Sequence, residues 1–176
     1  MSARIVIVVD MQNGVFTTPR FDRAGRAASI NQLIAAADHT IFIQHEDADM
    51  QPGNEAWQIL PELHQPPNAF YINKQACDSF WNTGLDAVLQ QLNANGFVIC
   101  GCATDYCVDT TIKVGGSKGY AISVASDAHT TSDRRWGSAQ QLIEQHNEVW
   151  ANLILPGNRL YVAPTAEIVQ RWRTAA

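Results

Sequence analysis

The 176-residue sequence has no apolar stretch long enough to cross a bilayer, which takes about 20 such residues as a helix. Its earliest run, Ile5-Val6-Ile7-Val8-Val9, ends at Asp10 with no small-residue cleavage site. Neither a membrane span nor a signal peptide is therefore expected. Basic residues are scarce: 12 Lys and Arg against 17 Asp and Glu give a net charge of -5, and no Lys/Arg cluster offsets it. That balance argues against a nucleic-acid partner. Only four cysteines occur, Cys77, Cys100, Cys102 and Cys107, and without a leader they read as reduced thiols in the cytoplasm. Cys100 and Cys102 have no second Cys or His pair at zinc-site spacing. No Gly-x-Gly-x-x-Gly follows a strand, which disfavours dinucleotide binding. Repeats and low-complexity segments are absent as well.

What is present is a hydrophobic fraction of 46% with 16% charged residues, enough for one domain over residues 1–176 with a sizeable core. Strand-like and helix-like segments alternate. Strands are expected over Arg4–Val9, Thr40–His45, Ala69–Lys74, Phe97–Gly101, Tyr120–Ser126 and Arg159–Ala163. Helices are expected over Ala27–Asp38, Phe80–Ala94, Asp105–Lys118, Gln140–Leu155 and Thr165–Arg173. The implied fold class is α/β, a three-layer (αβα) Rossmann-like fold with a six-stranded parallel β-sheet. The long stretch from Glu46 to Asn68, rich in proline, has no clear period, and a connection of that length is usually functional or mobile.

Ligands bind such sheets outside the carboxyl ends of the strands, where three reactive residues fall. Asp10 ends the first strand, Lys74 ends the third, and Cys107 follows the fourth. Thr104 or Asp105 reads as an N-cap, placing Cys107 in a first helical turn where the helix dipole favours thiolate. Each residue has a plainer alternative: Asp10 as a turn residue, Lys74 as a solvated strand end, Cys107 as core packing.

The motifs Val8-Val9-Asp10-Met11-Gln12, Asn73-Lys74, Gly101-Cys102-Ala103-Thr104-Asp105-Tyr106-Cys107-Val108 and Ser126-Asp127-Ala128-His129 together resemble those of the isochorismatase-like cysteine hydrolases, over about residues 5–155. The resemblance implies a catalytic triad: Asp10 as general base, Lys74 as its electrostatic partner and Cys107 as nucleophile. It also implies a cis peptide before Ala103 and an oxyanion hole formed by the backbone N–H groups of Ala103 and Cys107. The expected reaction is hydrolysis of a small amide or related acyl compound through a thioester. An ammonium lowers a nearby thiol's pKa while a carboxylate raises it, so the resting cluster is expected to hold Cys107 mostly protonated.

The chain departs from two branches of that family. Nicotinamidases carry an Asp-x-His metal motif that Gln44-His45-Glu46-Asp47-Ala48-Asp49, with His64 further on, does not reproduce. No metal or cofactor is therefore expected, although His45, Asp47, Asp49 and His64 remain the candidates for an ion. True isochorismatases, which cleave a vinyl ether, lack the nucleophilic cysteine. A non-catalytic binding or assembly member of the fold is the other rival. Phe16, Trp57 and Tyr106 are candidate walls of an apolar substrate pocket, with core packing as the alternative for each. Asn54 to Ile59 followed by Pro61-Glu62-Leu63 resembles a loop of many uncharacterised family members, an amidase-like subgroup. Asp127 is expected to support loops, and His146 to be structural or at a subunit contact. The expected partners are a small-molecule substrate and further copies of the chain in a homo-oligomer.

Overall fold

Ile5–Val9 (β1) is an unbroken β-branched run because both faces of the strand are covered. Val6 and Val8 point into one apolar cluster, Ile5, Ile7 and Val9 into another, and all five are at most 1% exposed. The computed structural model, which describes residues 3–157 and 159–174, builds on this strand outward. His39–His45 (β2) and Phe70–Lys74 (β3) lie on one side of it, and Gly96–Cys102 (β4), Ala121–Thr130 (β5) and Tyr161–Ala163 (β6) on the other. All pairings are parallel and the order is β3-β2-β1-β4-β5-β6.

Arg23–Ala36 (α1) and Thr165–Thr174 (α5) cover the face lined by Val6, Val8, Phe42, Val98, Cys100 and Cys102. Leu85–Gln91 (α2), Asp109–Ser117 (α3) and Ala139–Asn152 (α4) cover the other, with Leu85, Leu89, Ile112 and Trp150 fully buried. The result is the expected three-layer α/β architecture. Among the described residues no helix is long and apolar enough to cross a membrane.

Strand order reverses between β1 and β4, which opens a crevice at their carboxyl ends. Gly101 makes close approach there possible: its φ is +115°, and a Cβ would lie 2.2 Å from the Val9 carbonyl oxygen. Beside it, β5 advances from Val124 to His129 while β4 advances from Ile99 to Gly101, a bulge that carries β5 on to Thr130. The sequence reading ended this strand at Ser126, because Ser126-Asp127 breaks the apolar run. Asp127 leaves the ladder to accept bonds from the Thr165 N–H and hydroxyl, both at 2.7 Å, and so anchors the start of α5.

Three helix starts also differ from expectation. α1 begins at Arg23 rather than Ala27, behind Asp22, whose carboxylate accepts the Gly25 N–H. Phe80–Gly84 is not helical: Asn82 has a φ of +53°, the Asp78 carboxylate accepts the Phe80 N–H, and the Thr83 hydroxyl accepts from Leu85. Ahead of α3, Thr104–Val108 forms a wide π-type turn instead of the start of an α-helix.

Candidate active site

Asp10, Lys74 and Cys107 meet over the crevice. Asp10 leaves β1 with a left-handed φ of 48°, a conformation that Asp tolerates better than most residues, and its N–H is tied to the Ile43 carbonyl at 2.9 Å. Lys74, the last residue of β3, has a fully buried side chain whose Nζ lies 2.7 Å from Asp10 Oδ2. The same Nζ is 3.3 Å from Cys107 Sγ and 3.5 Å from His45 Nδ1. An ammonium carries three donors and no acceptor, so His45 Nδ1 must accept here. Three protons thus serve a carboxylate, a sulfur and an imidazole.

Burial opposes the charge on Lys74, but the adjacent Asp10 and Cys107 outweigh it and hold its pKa above the ordinary lysine value. For Cys107 the helix-dipole expectation is corrected: loss of solvent and the Asp10 charge push the thiol's pKa up, and Lys74 offsets them only in part. The resting sulfur is a thiol. Asp10 Oδ1, buried and with no hydrogen-bond partner among the described residues, remains open as a proton acceptor.

The expected N-cap is also corrected. Ala103 precedes the turn and no side chain caps it. Thr104 Oγ1 instead meets His129 Nδ1 at 2.8 Å, and the Asp105 carboxylate takes bonds from Thr131 and Arg134. The peptide between Cys102 and Ala103 is cis. The Cys102 thiol, in contrast to that of Cys107, is fully buried and pushed up to about 12 by loss of solvent.

Of the expected pocket residues, Phe16 is buried in the α1-side cluster with the Arg23 guanidinium over its ring. Trp57 is half-buried, and its indole N–H has no partner among the described residues. Tyr106 is 53% exposed under the Arg134 guanidinium. His45 Nε2 lies 3.6 Å from Asp47, whereas Asp49 and His64 are exposed. Among the described residues no group of three or more His, Cys, Asp or Glu is placed to hold a metal.

A family model for the isochorismatase domain matches residues 4–153. The chain belongs to the isochorismatase family of hydrolases. It is 24% identical to the isochorismatase family protein YddQ of Bacillus subtilis (strain 168), over 72% of this chain and 77% of that one. To the ureidoacrylate amidohydrolase RutB of Caulobacter segnis it is 25% identical, over 70% of each. Its fold matches the crystal structure of a cysteine hydrolase from Pseudomonas syringae pv. phaseolicola 1448A with a TM-score of 0.88. That match has 23% identity and covers 98% of this chain and 94% of the other.

Around Asp10, Lys74 and Cys107 of this isochorismatase-family hydrolase stand groups to which the sequence assigns no role. The Gln12 side chain is wholly buried. It accepts from the His45 N–H at 2.8 Å and donates to the carbonyls of His45 and Trp57, both at 2.9 Å, while Gln44 donates to the same Trp57 carbonyl. These bonds tie the long Glu46–Asn68 connection to the rim of the sheet. The available signal was an amide two residues after Asp10. His146 bonds the Leu142 carbonyl and packs on Trp150, within its own helix.

Proposed function

We propose that the chain hydrolyses a small amide or related C–N acyl compound by covalent catalysis at Cys107. The observation that carries this reading is the buried Lys74 ammonium bonded at once to Asp10 and to Cys107. Asp10 takes the thiol proton as sulfur attacks the substrate carbonyl, so the thiolate exists only as it is consumed. The backbone N–H groups of Ala103 and Cys107 receive the oxyanion, and each such donor is typically worth 10²–10³ in rate. Asp10 then returns the proton to the departing nitrogen, which leaves a thioester. Asp10 next deprotonates a water that attacks the thioester carbonyl, and the acid product departs as the sulfur recovers a proton. Lys74 stays charged throughout and stabilises both anionic forms. The amidohydrolase named among the relatives supports an amide as the bond broken.

The test is turnover of a panel of small amides and carbamoyl compounds, with isochorismate included, by the wild type, Cys107→Ala and Asp10→Asn. Turnover is expected to vanish in both variants at unchanged folding, with a mass increment on Cys107 in the quenched wild type. Retained amide hydrolysis in purified Cys107→Ala refutes covalent catalysis, and isochorismate cleavage that survives in that variant establishes the vinyl-ether activity instead.

A further inference from the structure

The short stretch that carries Cys107 is anchored to other elements by side chains that take no part in the bond-making steps above. Thr104 meets His129 of β5, Asp105 meets Thr131 and Arg134 just beyond β5, and Asp109, at the start of α3, accepts from the Trp150 indole of α4 at 2.9 Å. Between these anchors the backbone takes the wide turn of residues 104–108. The Ala103 carbonyl accepts from the N–H groups of Tyr106 and Val108, both at 3.1 Å, and not from the Cys107 N–H between them. An α-helix pairs that N–H with that carbonyl. The wide turn therefore keeps the Cys107 donor clear of its usual partner, as an oxyanion site requires.

Asp105 is the most heavily bonded of the anchors. Arg134 donates to its two oxygens, from Nε at 2.8 Å and from Nη2 at 3.2 Å, and Thr131 Oγ1 adds a bond at 2.6 Å. The guanidinium is itself fixed. Its Nη2 also donates to Thr131 Oγ1 at 3.1 Å, and its Nη1 to Ser132 Oγ at 3.0 Å, where Arg20 donates as well. Its Cζ stands over the Tyr106 ring, 4.8 Å from the centroid. Such a forked pair sets orientation as well as distance. Loss of solvent disfavours the charge on Asp105, but the bonds from Arg134 and Thr131 outweigh it and hold the carboxyl below the usual range. Asp105 is thus an anion two residues before Cys107, and Arg134 is the cation that neutralises it.

We propose that Arg134 and Asp105 are positioning residues for the oxyanion site. The pair fixes the turn so that the Cys107 N–H faces the substrate carbonyl, and Arg134 offsets a carboxylate charge that would otherwise oppose the oxyanion as it forms. The assignment rests on the hydrolase reading above for the identity of that oxyanion.

Aldehydes test it without turnover. Cys107 adds to acetaldehyde, propionaldehyde or butyraldehyde to give a hemithioacetal: the S–C bond forms, the carbonyl π bond breaks, and the thiol proton passes by way of Asp10 to the oxygen, which takes the oxyanion position. Protection of Cys107 from iodoacetamide, read by peptide mass, measures the affinity. Arg134→Gln is expected to weaken protection about tenfold, the scale of one hydrogen bond, while alkylation without aldehyde, which needs no oxyanion donor, stays close to the wild-type rate. Arg134→Lys keeps the charge without the fork and is expected to fall between, and it carries the test if the glutamine variant does not fold. Asp105→Asn combined with Arg134→Gln should lose less than Arg134→Gln alone, because the charge left unopposed is gone. Undiminished protection in folded Arg134→Gln and Arg134→Lys, alkylation that slows in step with protection, or a wild type that none of the aldehydes protects overturns the proposal. On any amide that is turned over, Arg134→Gln should lose about 100-fold in kcat, the cost of a misplacement near 1 Å, at little-changed KM. Protection that depends on Arg134 when no amide is cleaved supports the positioning pair and counts against the hydrolase reading alone. Amide turnover whose kcat is indifferent to Arg134→Gln overturns the positioning pair and leaves the hydrolase reading standing.

Discussion

Acidification should destabilise this protein through His129 before most of its carboxylates titrate. The imidazole is fully buried, with Nδ1 at 2.8 Å from Thr104 Oγ1, Nε2 at 2.9 Å from Asn147 Oδ1, and its ring edge-on to Trp150. Asn147 donates its amide to the Ser126 carbonyl, which turns Oδ1 toward His129 as an acceptor. Nε2 therefore carries the proton and Nδ1 accepts from Thr104, so a second proton on Nδ1 would have to turn the Thr104 hydroxyl from donor to acceptor. Burial accordingly pushes this histidine down from 6.5 to about 4, with the Asn147 bond opposing and Arg26 adding to the drop. Between those values the unfolded chain binds the proton and the native chain does not, so stability rises with pH across that window and is lost as pH falls through it. At about 1.4 kcal/mol per tenfold in proton affinity, the loss attributable to this one group approaches ~2.5 kcal/mol by pH 4.5. Denaturant unfolding of the wild type and His129→Gln at pH 7, 6, 5 and 4.5 measures it. The variant starts lower, having lost its fit to Thr104 and Asn147, but should show a shallower dependence, so that the two curves converge by about that amount. Parallel curves would refute the neutral, doubly bonded imidazole.

Two further outcomes follow from the site. Lys74→Met strands the buried Asp10 carboxylate and should cost about 3–5 kcal/mol by denaturant unfolding, a loss that Asp10→Leu in the same chain should largely restore. Gln12→Ala takes the acceptor from the His45 N–H and a donor from the His45 and Trp57 carbonyls, leaving Gln44 alone to hold the Trp57 carbonyl. It should cost about 1–3 kcal/mol and raise KM more than it lowers kcat, and a kcat effect alone would contradict the role of Gln12 in holding the pocket wall.

How much of this was legible in the sequence depends on whether a residue's role is fixed by its own neighbours or by register. The central strands could be read because their apolar runs are covered on both faces, and Asp10 stood out as the polar residue where the first such run stops, whereas Lys74 ends an edge strand whose alternate residues are exposed. The bonding of Thr104 could not be read. A Thr just before an expected helix is ordinarily a cap, and only the bulge in β5, which brings His129 opposite Gly101, offers it a better partner. Gln12 and Arg20 fall in the same class, since their partners lie 33 and 112 residues away. The shortened α2 has a local cause that was within reach: the Asp78 and Thr83 side chains compete for the backbone, and Asn82 takes a left-handed φ of +53°.

The electrostatics of Cys107 make a sharper demand on the mechanism than the presence of three residues at one rim. Burial and Asp10 both raise the thiol's pKa, and only Lys74 lowers it. The carboxylate that accepts the proton thus also keeps the sulfur protonated until a substrate arrives. Replacing Asp10 by Asn removes the opposing charge and leaves Lys74 beside the sulfur, so the two functions must separate. Turnover should vanish for want of a base, while alkylation of Cys107 by a neutral reagent at fixed pH should become faster, with its pH midpoint displaced downward. The comparison needs only iodoacetamide, peptide-level mass detection and a series of buffers across the alkaline range, with the buried Cys100 and Cys102 as internal controls. If Asp10→Asn instead slows alkylation throughout that range, the carboxylate is promoting ionisation in the resting enzyme, and the protonated ground state inferred from the buried cluster is wrong.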